Sequence, residues 1–143
     1  MLKAYFDDAG THKGAPVAVM GGLIGTVEQW DELEKRWGRQ LADPLPEAGK
    51  SRLSKFHMAA CEAADEEFRS YRPPERMLVV QHFRRHIAEC DLVSTSSVVD
   101  VLAWDELVTG PVREFLGPAI EICFVNCLDR ARDLVSNSLT ETK

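Results

Sequence analysis

Hydrophobic and polar residues follow two different periods along this chain, and each predicts a different kind of element. Near the start, the apolar stretches Leu2 to Asp7 and Pro16 to Ile24 read as strands. The polar run Gly10-Thr11-His12-Lys13-Gly14 between them suits a hairpin with a long loop, so the two strands are expected to pair antiparallel. Beyond them the period lengthens. Trp30, Leu33, Trp37 and Leu41 recur at helical spacing, and Thr26 with Gln29 fits a capping box that would start this helix. Its other side carries Asp31, Glu32, Lys35, Arg36 and Arg39, a mixture of signs that reads as a solvated face.

Pro44, Pro46 and Gly49 mark 42–54 as a loop, which leads into the short apolar segment Lys55-Phe56-His57-Met58. A helix is predicted from Pro73-Pro74 to about Cys90, with Met77, Val80, Phe83 and Ile87 facing inward, because proline is tolerated in a first helical turn. Leu92 to Asp100, rich in Val, Ser and Thr, reads as a third strand. A short helix over Ala103 to Thr109 is expected to break at Gly110-Pro111, and a last helix to span Ala119 to about Ser136. The order strand, strand, helix, loop, helix, strand, helices predicts an α/β layer arrangement in a single domain, 1–143, without internal repeats.

Composition narrows the function classes. The 143 residues are 45% hydrophobic and 28% charged, enough for one globular core, and the formal net charge of -6 argues against gripping nucleic acid through a basic stripe. It does not exclude an acidic, metal-loaded site. Cys61, Cys90, Cys123 and Cys127 form no Cys-x-x-Cys pair, and no signal peptide is read, so a reduced, cytoplasmic protein is expected. The longest apolar run, Ala15 to Ile24, is too short for a membrane span and is interrupted by Gly21-Gly22.

Candidate chemistry concentrates where the first strand stops, at Asp7-Asp8-Ala9-Gly10. Carboxylates at the carboxyl end of a strand in an α/β domain face the usual ligand crevice. Adjacent strand residues point to opposite faces, so only one of the pair reaches a given crevice; Asp7 is taken as the leading residue and Asp8 as its helper. Together they could hold Mg²⁺ or Mn²⁺, hard cations that take oxygen ligands. The competing reading is a turn in which Asp caps local amides. His57 is the second candidate, since a neutral imidazole ligates metals and moves protons, against the ordinary reading of a hydrogen-bonded histidine in an apolar segment. His82 and His86 lie four apart without the His-Glu-x-x-His pattern and read as structural or solvated; Cys123 and Cys127, also four apart, read as core. There is no Gly-x-Ser-x-Gly elbow, Walker loop or dinucleotide fingerprint.

Tyr5-Phe6-Asp7-Asp8-Ala9-Gly10-Thr11-His12, then Met20-Gly21-Gly22-Leu23-Ile24 leading to Val27-Glu28-Gln29-Trp30 and Glu34 to Trp37, then Lys55-Phe56-His57-Met58, resemble in order and spacing the bacterial family called domain of unknown function 3800. Fainter correspondences at Phe68, Tyr71, Arg76 and from Gly117-Pro118 through Cys123 to Cys127 extend the resemblance over the chain. It implies a ribonuclease H-like, three-layer fold with a mixed sheet, carboxylates and a histidine gathered at one sheet end, and a metal-dependent nuclease or transposase-related activity. Carried over by position, Asp7 matches the leading acid and His57 the Phe-His histidine, while Asp8 stands where Glu is usual. Ala9 replaces a serine that could orient the carboxylate, Ala60 an aspartate and Ala119 an aromatic.

Family members continue into a further strand and helix with more acidic residues, so the domain is expected to be truncated at its C-terminus. Two functions follow from these readings. One is a phosphodiesterase on nucleic acid using Mg²⁺ or Mn²⁺, with catalytic Asp7, Asp8 and His57. The other is an inactive interaction module that forms homo-oligomers or docks a partner through the surface its absent elements would cover.

Overall fold

The computed structural model describes residues 1–140, with side chains to Ser136. Two compact units divide these residues: Met1–Thr26 together with the chain from Val93 on, and Val27–Leu92. The first unit is built on strands β1 (Leu2–Ala9), β2 (Val17–Thr26) and β3 (Val93–Asp100), followed by helices α4 (Val101–Leu107), α5 (Gly110–Leu116) and α6 (Ala119–Thr140). The second contains α1 (Val27–Ala42), α2 (Met58–Ala63) and α3 (Pro73–Glu89), with single 3-10 turns at Pro46–Ala48 and Glu66–Phe68. Six helices and one three-stranded sheet make an α/β protein among the described residues.

The expected hairpin forms, with β1 antiparallel to β2 from Leu2↔Thr26 to Ala9↔Val19. Among the described residues the sheet is antiparallel and not mixed: β3 also runs antiparallel to β2, from Val17↔Asp100 to Ile24↔Val93, in the order β1-β2-β3. The long connection from β2 to β3 makes a compact unit of its own, and nothing in it obliges β3 to enter the sheet in the sense of β2. By the two-residue alternation of strands, Phe6 and Asp8, Ala18 and Met20, and Ser97 and Val99 share one sheet face. α6 covers that face. Cys123 and Cys127 place their sulfurs 3.5 Å and 3.6 Å from the carbonyl oxygens of Ala18 and Met20, and Asn126 donates to the Ser97 hydroxyl at 3.2 Å. Small thiols and an alanine at the contact let the helix lie close to the strands, and both cysteines are fully buried, as their core reading required. Phe6 lies across Gly22, where any Cβ would run into its ring, and meets Phe124 edge-on at 5.8 Å.

The helical unit is organised by aromatic packing. Phe56 stacks on Phe83 with centroids 4.3 Å apart, Trp37 lies 4.4 Å from Phe83, and Phe68 meets Tyr71 at 5.3 Å, all within one cluster with Leu45, Leu53, Cys61 and Val79. On α3 the buried positions are Glu75, Val79 and Phe83, whereas Met77 is 63% exposed and does not face inward. Phe83 sets the face, and Val79 one turn before it lies on the same side while Met77 lies well round the helix. Two helical segments were not expected. The chain beyond the apolar segment Lys55-Phe56-His57-Met58 winds into α2, where Met58, Ala59 and Ala60 are good helix formers. Gly110-Pro111 opens α5 instead of only breaking the preceding helix, since proline at the first positions gives up no intrahelical hydrogen bond.

Candidate functional site

Both leading candidates sit on the same strand, but not on the same side of it. β1 continues through Ala9, so Asp7 and Asp8 are strand residues, exposed on what is an edge of the described sheet. Asp8 shares the α6-covered face with Phe6, and Asp7 projects to the other face with Tyr5. Each carboxylate has a local donor: the Asp8 amide donates to Oδ1 of Asp7 at 3.0 Å, and the Thr11 hydroxyl to Oδ2 of Asp8 at 3.0 Å. Local capping of this kind is what the turn reading anticipates. The loop then closes through the Ala15 amide on the His12 carbonyl at 3.1 Å. Gly10 (φ 74°) and Gly14 (φ 85°) adopt left-handed backbone, and at Gly10 a Cβ would also run into the Val17 carbonyl oxygen.

Thr11 belongs at the same time to the wall of a cleft of about 410 Å³ in the sheet unit, so Asp8 is tied to its rim. The cleft lies between this loop, α4, α5 and the first turn of α6, and Ala18 of the α6-covered face forms part of it. Its fixed cation is Arg113 of α5. That guanidinium pairs through Nη2 with Asp105 at 2.9 Å and stands over the Trp104 ring, 5.9 Å from its centroid. Trp104 is itself held by its indole N–H on the Gly117 carbonyl at 3.3 Å. Nη1 of Arg113 is buried and has no hydrogen-bond partner. Sequence reasoning passed over Arg113 and Lys13, which also lines the cleft. The one signal available was Gly110-Pro111, which, read as a helix start, puts Arg113 in the first turns of a helix.

His57 lies in the other unit. It is the exposed N-cap residue of α2, in extended backbone, with its carbonyl accepting the Cys61 amide at 3.0 Å and no capping bond from its ring. Ala60, at the position where the resemblance places an aspartate, is buried in the aromatic core. His82 and His86 take the structural role read for them. The Gln40 amide donates to the Pro44 carbonyl (2.9 Å) and faces Nδ1 of His82 (3.2 Å), while its oxygen faces Nε2 of His86 (2.9 Å). Burial pushes the His86 imidazole below its ordinary value, against the opposing pull of Glu89.

Among the described residues no group of three or more His, Cys, Asp and Glu side chains is placed to hold a metal ion. Asp7 and Asp8 offer the hard oxygen donors that Mg²⁺ or Mn²⁺ takes, but from opposite faces of β1, so the two do not converge on one ion. No described helix is long and apolar enough to cross a membrane. No family model, no curated protein and no solved structure matches the chain.

Proposed function

We propose that this chain has a ribonuclease H-like architecture and acts on nucleic-acid phosphodiesters with Mg²⁺ or Mn²⁺, Asp8 serving as the metal's carboxylate at the cleft and Asp7 supporting it from the other face of β1. The observation that carries the reading is the tie between Asp8 and the cleft rim through Thr11. That hydroxyl orients the carboxylate, a part the family pattern gives to the serine that Ala9 replaces. Mg²⁺ commonly takes one or two protein carboxylates and completes its shell with waters and substrate phosphate, so a single cleft-side aspartate suffices to recruit it. Bound there, the ion would polarise a phosphoryl oxygen and acidify the attacking water. Arg113 and Lys13, on the same cleft, supply positive charge for a phosphate in an otherwise acidic chain. The test is cleavage of a panel of single-stranded, duplex and hybrid nucleic acids with added Mn²⁺. Asp8→Ala is expected to abolish cleavage and Asp7→Ala to weaken it; undiminished cleavage by Asp8→Ala refutes the assignment.

A second reading, an interaction module that self-associates, is favoured by an apolar stripe on α6. Phe124, Leu128 and Val135 fall on one side of the helix and are 41%, 44% and 39% exposed, next to the edge strand β1 on which Phe6 meets Phe124. The occupant we assign is β1 of a second copy. Antiparallel pairing about a two-fold axis at Tyr5 sets Lys3 opposite the other copy's Asp7, a favourable cross-strand pair. Sedimentation equilibrium is expected to show a dimer that Asp7→Lys weakens and the charge-swapped pair Lys3→Asp with Asp7→Lys restores. A strictly monomeric wild type rules this reading out.

A further inference from the structure

β3 is the second edge of the described sheet, and its own side chains do little to protect it. Val93-Ser94-Thr95-Ser96-Ser97-Val98-Val99 has no charge, proline or glycine and pairs with β2 in unbroken register, so neither a lysine nor a bulge blunts it. Val93 and Val98 are 45% and 59% exposed. The hydrogen-bond pattern fixes which backbone groups look outward. The Val101 amide donates to the Pro16 carbonyl at 3.0 Å, which makes these two a bonded pair in the register of the strands. By alternation Thr95, Ser97 and Val99 bond to β2, while Ser94, Ser96 and Val98 turn their amides and carbonyls to the open side. One of those groups is taken. Arg130 of α6, one turn beyond the Asn126 contact with Ser97, reaches round the edge and donates through Nη1 to the Ser96 carbonyl at 2.5 Å. Arg132 pairs with both neighbouring carboxylates, Asp129 at 3.1 Å and Asp133 at 3.4 Å, which leaves Arg130 to the sheet.

We propose that Arg130 closes the β3 edge against strand addition by β3 of a second copy of this chain. The occupant follows from self-complementarity. An antiparallel β3 pair about a two-fold axis at Ser96 sets Val93 opposite Val99, Ser94 opposite Val98 and Thr95 opposite Ser97, with no charge in conflict anywhere along 93–99. At the axis the two Ser96 residues form a bonded pair, each amide donating to the other's carbonyl. That carbonyl is the one the guanidinium holds. Paired strands lie about 4.8 Å apart, so a guanidinium in hydrogen-bond contact with the outward carbonyl stands where the incoming amide must go. A second copy can add only by breaking a charged hydrogen bond. The device does not involve β1, Asp7 or Asp8, and so it holds for either reading of the function. If β1 also pairs, an unguarded β3 would give one sheet two self-complementary edges, and assembly would run on without closing.

Sedimentation velocity on the full chain over a concentration series tests this with wild type, Arg130→Met and the double variant Arg130→Met with Ser96→Lys. Methionine keeps the apolar stem and removes the donor at an exposed helix position; Arg130→Ala is run beside it, so that the result does not hang on one side chain. Both single variants are expected to gain an association step beyond the wild-type state, at concentrations about ten- to hundredfold lower than any at which the wild type shows it, the factor that a charged hydrogen bond represents. Ser96→Lys sets two lysines opposite each other across the axis and is expected to return Arg130→Met to the wild-type state. A labelled peptide of sequence 93–99, followed by fluorescence anisotropy, reads the same edge without self-association. It is expected to bind Arg130→Met about tenfold or more tightly than the wild type. Unchanged association and unchanged peptide affinity in the Arg130 variants overturn the proposal. So does an added association that Ser96→Lys leaves in place, since the new contact then lies elsewhere.

Discussion

Gln40 is the side chain whose removal the structure makes most informative. Its amide joins α1 to α3 by facing His82 Nδ1 and His86 Nε2 at once, while its second N–H holds the Pro44 carbonyl. The Pro44 carbonyl, which can only accept, fixes the amide orientation, so the Gln40 oxygen accepts from His86 Nε2–H and His82 Nδ1 accepts from the Gln40 amide. Gln40→Leu keeps the volume and deletes three hydrogen bonds. At about 0.5–1.5 kcal/mol net for each, the loss is about 1.5–4.5 kcal/mol, and the apolar stem of leucine returns a part of it. His86 sharpens the penalty, since its Nδ1 already has no partner and the substitution strands its Nε2–H as well. We therefore expect a loss of about 2–4 kcal/mol, read as a fall of about 1–2 M in the urea midpoint at pH 8 for a slope near 2 kcal/mol/M.

The same measurement repeated down the pH scale has a definite sign. Burial holds the folded His86 pKa below its ordinary value, so from about pH 6.5 downward the unfolded chain takes up a proton that the fold resists. Stability is fully present above that pH and declines as pH falls toward the folded value. Arg36 and Arg39 on α1 oppose the proton as well, and Glu89 on α3 favours it. Gln40→Glu keeps an acceptor for His86 Nε2–H but loses the donor to the Pro44 carbonyl and His82 Nδ1, so at pH 8 it is expected to recover only part of the stability that Gln40→Leu loses. Coincident urea curves for wild type and Gln40→Leu at pH 8 would refute the clasp.

Other expectations follow from single contacts. Glu75 accepts the Arg72 guanidinium (2.8 Å and 3.0 Å), the Arg72 amide (2.7 Å) and the Lys50 ammonium (2.9 Å), which together hold its carboxyl down to about 2. Its contribution is present above the ordinary carboxylate range and is lost as pH falls toward 2, so Glu75→Gln is expected to flatten the acid limb of a circular-dichroism pH titration. Gly10→Ala forces a Cβ into left-handed backbone and against the Val17 carbonyl, and is expected to cost more than about 1–2 kcal/mol in urea unfolding. Gly14→Ala, where open space surrounds the position, bears only the backbone part of that cost; equal losses would show that the Val17 contact is not what restricts Gly10.

Much of the secondary structure is legible along the chain because its signals are local. The paired apolar runs around Gly10 to Gly14, the helical spacing of Trp30 to Leu41 and the prolines at 73 and 74 each locate an element without help from distant residues. Where local signals were read too narrowly, the differences are small and physical. Met77 and Val79 are both apolar, and only the aromatic cluster around Phe83 decides which of them is buried. Gly110-Pro111 serves equally well to stop one helix and to start the next.

The candidate site divides in the same way. That Asp7 and Asp8 would point apart was set by the alternation of any strand; which of them shares the face that α6 covers was decided by a helix whose Cys123 and Cys127 come more than a hundred residues later. Arg113 carried no motif at all. Its pairing with Asp105 and its place over Trp104 arise only in the folded unit, and pairing, burial and desolvation are properties of that assembly. The sequence by itself determined the elements and the kinds of side chain on offer. The tertiary structure alone decided which of them share a surface, because burial and desolvation depend on every group packed around a side chain, and most of those groups are distant in the chain.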